Sequence, residues 1–172
     1  MKKDFLYPIL ALSMICLVMA GALALVNDVT SPTIEEAAIE RANVLLWNII
    51  PDADDFILVD IADRGLPASI VSVYRATNDT GFIITSRVRG FGGEMLVMSG
   101  VGTDGSFLGT AVLDHSETIS FANRVFMGQD EYGVRRISPI ERDVVAGATI
   151  TFKAYRNAVI YAMEAFELLG GR

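Results

Sequence analysis

Asp143-Val144-Val145-Ala146-Gly147-Ala148-Thr149-Ile150-Thr151, DVVAGATIT, runs from a glycine turn straight into the last periodic segment of the chain. Beyond it, Ala154, Ala158, Ala162, Ala165, Phe166 and Leu169 recur at helical spacing, which predicts an amphipathic helix from Ile150 to Leu169. Gly170 and Gly171 are expected to stop it. Gly147 permits a turn that a side chain would resist, and the small Ala148 leaves room for close approach. The hydroxyl of Thr149 therefore falls at or near a helix N-terminus, where unpaired N–H groups and the helix dipole favour a phosphate. A second reading stands beside it: Thr149 or Thr151 serves only as the helix cap, a common use of threonine.

Upstream the pattern changes period. Phe56–Ile61, Ile70–Ala76, Gly81–Val88, Glu94–Gly100 and Phe107–Leu113 are rich in β-branched and aromatic residues and read as strands. They are separated by short breaks with turn chemistry: Arg64 to Pro67, Asn78 to Gly81, Gly90 to Gly93 and Thr103 to Ser106. Successive strands with short turns predict an antiparallel sheet, and helices at both ends make the class α+β. Residues 114 to 142 are less regular, with a short helix expected over Ser120 to Phe126. Met95 and Met98 are expected in the core.

Before the sheet, Ser31-Pro32 reads as a helix start, followed by Ile34, Ala37, Ala38, Leu45, Leu46, Ile49 and Ile50 on one face until Pro51. Trp47 belongs to this helix and is expected to pack at the core or its edge. Earlier still, Phe5 to Val26 carries no charged residue. As a helix this run is about 33 Å long at roughly 1.5 Å per residue, enough to cross a bilayer's hydrocarbon core. Lys2 and Lys3 precede it and Asp28 follows, so residues 1–4 are expected in the cytoplasm, 5–26 in the membrane and 27–172 outside. A cleaved signal peptide ending near Ala22-Leu23-Ala24 is the competing reading, disfavoured because the apolar run exceeds the usual length of about 7 to 15 residues.

The 172 residues suit one domain behind such an anchor. The formal net charge is −7, and Lys2, Lys3 and Asp4 are the only charges before residue 27, so the expected outer domain is more acidic still. That argues against nucleic acid as a partner. Cys16, the only cysteine, lies inside the apolar run, and His115 is the only histidine. Neither an intramolecular disulfide nor a cysteine- or histidine-rich metal site is available, so redox chemistry would need a bound cofactor. No Walker motif or Rossmann glycine fingerprint is present.

Three features in order carry a family resemblance: an apolar anchor followed by NDVTSPTIEEA, the segment GFGGEMLVMSGVGTDGSFLGTAVLDHSET, and DVVAGAT opening the last helix. Together they resemble the FMN-binding domain family, in particular the G subunits of Rnf-type ion-translocating electron-transport complexes. The C subunits of sodium-pumping NADH:quinone oxidoreductase are also similar. The resemblance implies covalent FMN, attached by a flavin transferase through a phosphoester to Thr149. Asp143, Gly147 and Ala148 match the attachment motif, and Thr151 follows it as the next hydroxyl. His115, Glu117 and Thr118 match an HxET element near the flavin, and Phe91, Gly92 and Gly93 match a glycine turn on the same side. Two positions depart from the family. Ala146 replaces a serine or threonine, and Ile119 to Ala122 replaces proline-glycine-leucine-glycine, implying a differently shaped loop.

The implied function is a bacterial inner-membrane flavoprotein subunit that relays electrons among other membrane subunits of a ferredoxin/NAD oxidoreductase. Thr149 would tether the cofactor, with no catalytic residue and no metal in this chain. The apolar run has no ionisable group except Tyr7 and Cys16, so ion transport would belong to other subunits. A stand-alone anchored flavoprotein, or a flavin-free anchored binding or assembly module, are the alternatives. His115 has a flavin-facing and a structural reading. Glu117 has a loop-fixing and a solvated one. For Arg135 and Arg136 a surface ion pair is preferred to a phosphate contact.

Overall fold

The computed structural model describes residues 2–62, 64–126, 129–131, 133–143 and 145–170. It divides into an N-terminal unit, Met1–Arg41, and a larger compact unit, Ala42–Arg172. Helix α1, Lys2–Ile49, is continuous through Pro8 and Pro32. Ser31-Pro32 is thus not a helix start, contrary to the sequence expectation. A proline inside a helix removes one backbone donor, and the residues around Pro32 are exposed, so water can satisfy the carbonyl left over. Thr30 Oγ1 donates back to the Val26 carbonyl at 2.8 Å within the same stretch. The helix is long and apolar enough over its first part to cross a membrane.

In the larger unit the strands are β1 (Phe56–Leu58), β2 (Ile70–Ala76), β3 (Gly81–Arg89), β4 (Glu94–Gly102), β5 (Phe107–His115) and β6 (Val134–Arg135). They form a six-stranded sheet in sequence order, every neighbouring pair antiparallel. The expected strand Phe56–Ile61 is shorter than its apolar run, ending at Leu58. Helix α2, Ile119–Phe126, and helix α3, Thr149–Leu168, complete the α+β architecture, with a short 3₁₀ turn at Pro139–Glu141. Leu169 caps α3, Gly170 follows with positive φ, and Gly171 lies outside the described residues.

The strand alternation sends side chains to both faces of the sheet. On one face Ile83, Met98, Ala111 and Val134 pack with Leu46 and Ile49 from the end of α1 and with Ile50 just after it. On the other, Val97, Val88 and Met95 meet Phe152, Tyr155 and Ala158, and Val73, Ile84 and Val101 meet Ala162, Ala165 and Phe166 of α3. Met95 and Met98 are both fully buried, on opposite faces. Ile34, Ala37 and Ala38, expected on the same face as Leu46 and Ile49, are exposed. Trp47, 42% exposed, makes an edge contact with Phe56 at 5.2 Å, a packing role at the margin.

Arg136, following β6, fixes that end of α1. Its guanidinium donates to the carbonyls of Asn48, Ile49 and Leu108, covering acceptors that a helix C-terminus leaves open. It also lies 3.9 Å from Asp130, so an ion pair is present as expected. Arg135 points the other way and is buried, with Nη1 donating to the Val125 carbonyl at 3.1 Å.

Candidate functional site

The turn before α3 is built by Gly147 at φ +79°, a conformation that disfavours any residue with a side chain. Ala148 N–H closes the turn on the Val145 carbonyl at 3.1 Å, and the Ala148 carbonyl accepts the helix bond from Phe152 at 2.9 Å. Ala148 is thereby the N-cap, and it has no side-chain oxygen to offer. Thr149 is the first helical residue, exposed, and neither it nor Thr151 caps the helix with its hydroxyl. The simple capping reading is therefore wrong by one residue: the chain turns on glycine, and alanine takes the cap position.

Thr151 turns inward. Its hydroxyl, fully buried, donates to Glu117 Oε2 at 2.9 Å. Glu117 is 7% exposed, and its Oε1 accepts the Gly92 N–H at 3.1 Å. The solvated reading of this carboxylate is overturned, because two donors from two different segments draw it inside. His115 is exposed, accepts the Glu117 N–H at Nδ1 (3.2 Å) and lies against Phe126 with ring centres 5.4 Å apart. Thr118 is exposed, and its carbonyl accepts from Ala122 at the start of α2. The departure at Ile119 to Ala122 thus takes the form of the first turn of a helix.

A cavity of about 280 Å³ lies at the helix start, lined by Phe91, Gly147, Ala148, Thr149, Ile150 and Thr151. Phe91 is 65% exposed at the tip of the glycine turn. Asp143 and Ala146 are exposed and do not line the cavity. Arg124, in the last turn of α2, reaches this site although sequence reasoning passed over it. A Cβ on Gly147 would lie 3.0 Å from its Nη1, so the guanidinium rests directly on the turn two residues before Thr149. A basic residue ending a predicted short helix was the available signal. Arg135 is buried, contrary to the surface placement expected of it, and donates to the Val125 carbonyl of α2, while Arg136 donates to the carbonyls at the end of α1.

The arrangement offers an exposed hydroxyl on a glycine turn, free helix N–H groups, a cation against the turn and an apolar cavity beside it. These suit a phosphate ester carrying a planar ring system. Residues 90–164 match the family model of the FMN-binding domain, a span that takes in the glycine turn, β4, β5, α2 and most of α3. By this match, residues 90–164 correspond to an FMN-binding domain.

Over nearly its whole length the chain is similar to the G subunits of ion-translocating oxidoreductase complexes. It is 27% identical to the G subunit of the Na(+)-translocating ferredoxin:NAD(+) oxidoreductase complex of Acetobacterium woodii, over 93% of this chain and 90% of that protein. It is also 27% identical to the G subunit of the ion-translocating oxidoreductase complex of Stutzerimonas stutzeri, over 92% of this chain and 79% of that protein. The corresponding protein of Cereibacter sphaeroides is 32% identical over 72% of this chain and 59% of its own length.

Proposed function

We propose that this chain is the membrane-anchored flavoprotein subunit of an Rnf-type ion-translocating oxidoreductase, holding FMN as a phosphoester on the Thr149 hydroxyl. The observation that carries the reading is the state of Thr149: first in its helix, exposed, beside a cavity and uncommitted as a cap. Gly147 and Ala148 present the hydroxyl to a flavin transferase. The N–H groups at the start of α3 and the Arg124 guanidinium oppose the ester's negative charge. Phe91 and Ile150 give the ring system apolar contact, and Asp143 contributes to recognition by the transferase from outside the cavity. His115, held by the Glu117 N–H and Phe126, supports the loop.

FMN supplies an electron-transfer centre that exchanges two electrons or one, and the protein supplies its attachment, orientation and electrostatic setting. The similarity to the G subunits of such complexes supports other membrane subunits as partners in ferredoxin/NAD electron transfer. The apolar start of α1 supports an anchor in the bacterial cell membrane, and Lys2 and Lys3 support a cytoplasmic N-terminus with the flavin domain outside.

The test is co-expression with a flavin transferase, followed by a denaturing gel and intact-mass measurement. The expected wild type is fluorescent and heavier by FMN less one water, and Thr149→Val loses both signals. A dark wild-type band would remove covalent flavin. A band surviving Thr149→Val would move the attachment elsewhere.

A further inference from the structure

A single ester bond keeps a cofactor on the protein but leaves its ring free to swing about several single bonds. Orientation must come from the walls of the cavity, and those walls belong to segments far apart in the chain: the glycine turn carrying Phe91 and the start of α3 carrying Thr149, Ile150 and Thr151. Among the described residues, the side chain of Glu117 joins them. Glu117 accepts from Gly92, next to Phe91, with one oxygen at 3.1 Å, and from Thr151 with the other at 2.9 Å.

The surroundings of Glu117 are shaped for this carboxylate. A Cβ on Gly90 would lie 1.9 Å from Glu117 Oε1, and a Cβ on Gly92 would lie 2.2 Å from the Ser116 carbonyl oxygen. The glycine turn therefore packs against the Ser116-Glu117 backbone and side chain with no space for methyl groups, and Gly90 N–H closes it on the Gly93 carbonyl at 2.8 Å. Burial of the charge is offset by its position at the first turn of α3, where the helix dipole favours an anion. His115 Nδ1, accepting the Glu117 N–H at 3.2 Å, sets the backbone from which the side chain departs.

We infer that Glu117 is a positioning residue: it does not meet the flavin but spans the Phe91 turn and the Thr149 helix start, fixing the cavity in which the ring is oriented. The inference rests on the proposed attachment at Thr149. It assigns the glutamate of the HxET segment to the architecture of the cavity, and assigns Gly90 and Gly92 the task of admitting it. Glutamine can replace it geometrically. Its amide oxygen accepts from Gly92 N–H while its amide nitrogen donates to Thr151 Oγ1, whose hydroxyl rotates to accept.

The experiment uses the full chain, purified in detergent after co-expression with the transferase, as wild type, Glu117→Gln, Glu117→Ala and Thr151→Val. Covalent loading is measured by intact mass, and ring orientation by visible circular dichroism and fluorescence anisotropy of the loaded flavin. Glu117→Ala and Thr151→Val are expected to lose about half or more of the visible circular dichroism per bound flavin, with lower anisotropy, because the contact that locks the two walls together is gone. Glu117→Gln should restore the wild-type spectrum. A loaded Glu117→Ala or Thr151→Val protein with the wild-type dichroism and anisotropy would overturn the inference. If Glu117→Ala does not fold, Thr151→Val, which keeps the carboxylate and removes one bond, carries the same comparison. An unloaded wild type would instead overturn the attachment on which the inference rests.

Discussion

Thr149 is exposed and makes no cap bond, so its replacement separates chemistry from folding. Thr149→Val is expected to abolish covalent flavin while changing unfolding free energy by no more than about 0.5 kcal/mol, the usual range for such surface sites. Urea unfolding of flavin-free wild type and variant checks the second half. Tyr155 gives the opposite case. It is fully buried on α3, its hydroxyl has no hydrogen-bond partner among the described residues, and burial pushes the phenol up. The neighbouring Thr110 hydroxyl offsets this shift only in part, being committed to the Met98 carbonyl and paired with Ser99. Tyr155→Phe should stabilise the domain by about 1 kcal/mol, by removing a buried unsatisfied group. Its pH signature has a definite sign. The unfolded chain loses the phenol proton near pH 10 while the folded one retains it, so wild-type stability is full below that pH and falls as pH rises above it. Tyr155→Phe should flatten that alkaline loss, and an unchanged slope in chemical unfolding above pH 10 would contradict the assignment.

Among the elements, α3 and the four longer strands could be read from sequence because each buries a periodic face. Ile70–Ala76 has the expected bounds, and the other three extend by one or two residues. Periodicity fails where the element is too short to show it, as in β6, Val134–Arg135, or where a terminus is decided by one backbone turn, as at Ala148. The roles of Thr149 and Thr151 differ for that reason: two positions of the same helical turn place one hydroxyl outward and the other against Glu117. The contacts that Arg124 and Arg136 make were beyond reach in another sense, since both act across long separations on backbone that only the tertiary fold brings near. Arg136 is the more consequential for α1. It covers carbonyls at residues 48 and 49, and charged donors at such sites contribute about 1.5–3 kcal/mol. Arg136→Gln is therefore expected to lower stability by about 1–2 kcal/mol, read as an earlier urea midpoint with an unchanged slope. A variant with the wild-type midpoint would mean that solvent serves those carbonyls equally well.

At the scale of the whole molecule, one helix contributes to two compact units: α1 supplies an apolar N-terminal stretch to the first and core residues to the second. This division gives truncation a sharp outcome. A chain beginning at Ala42 keeps Leu46, Ile49 and Ile50, which are buried against the sheet, and the carbonyls that Arg136 holds. It should be soluble without detergent, fold cooperatively and accept flavin at Thr149 as the full chain is proposed to do. A chain beginning at Pro51 lacks all of these groups. Each lost leucine or isoleucine removes about 1.5–3 kcal/mol of burial, and together they approach the stability of an ordinary domain, about 5–15 kcal/mol. The shorter chain is expected to lose its cooperative thermal transition in near-ultraviolet circular dichroism while the longer one keeps it. If both melted at the same temperature, the last turns of α1 would be dispensable to the core, and the flavin domain would have to be redrawn as beginning at the sheet.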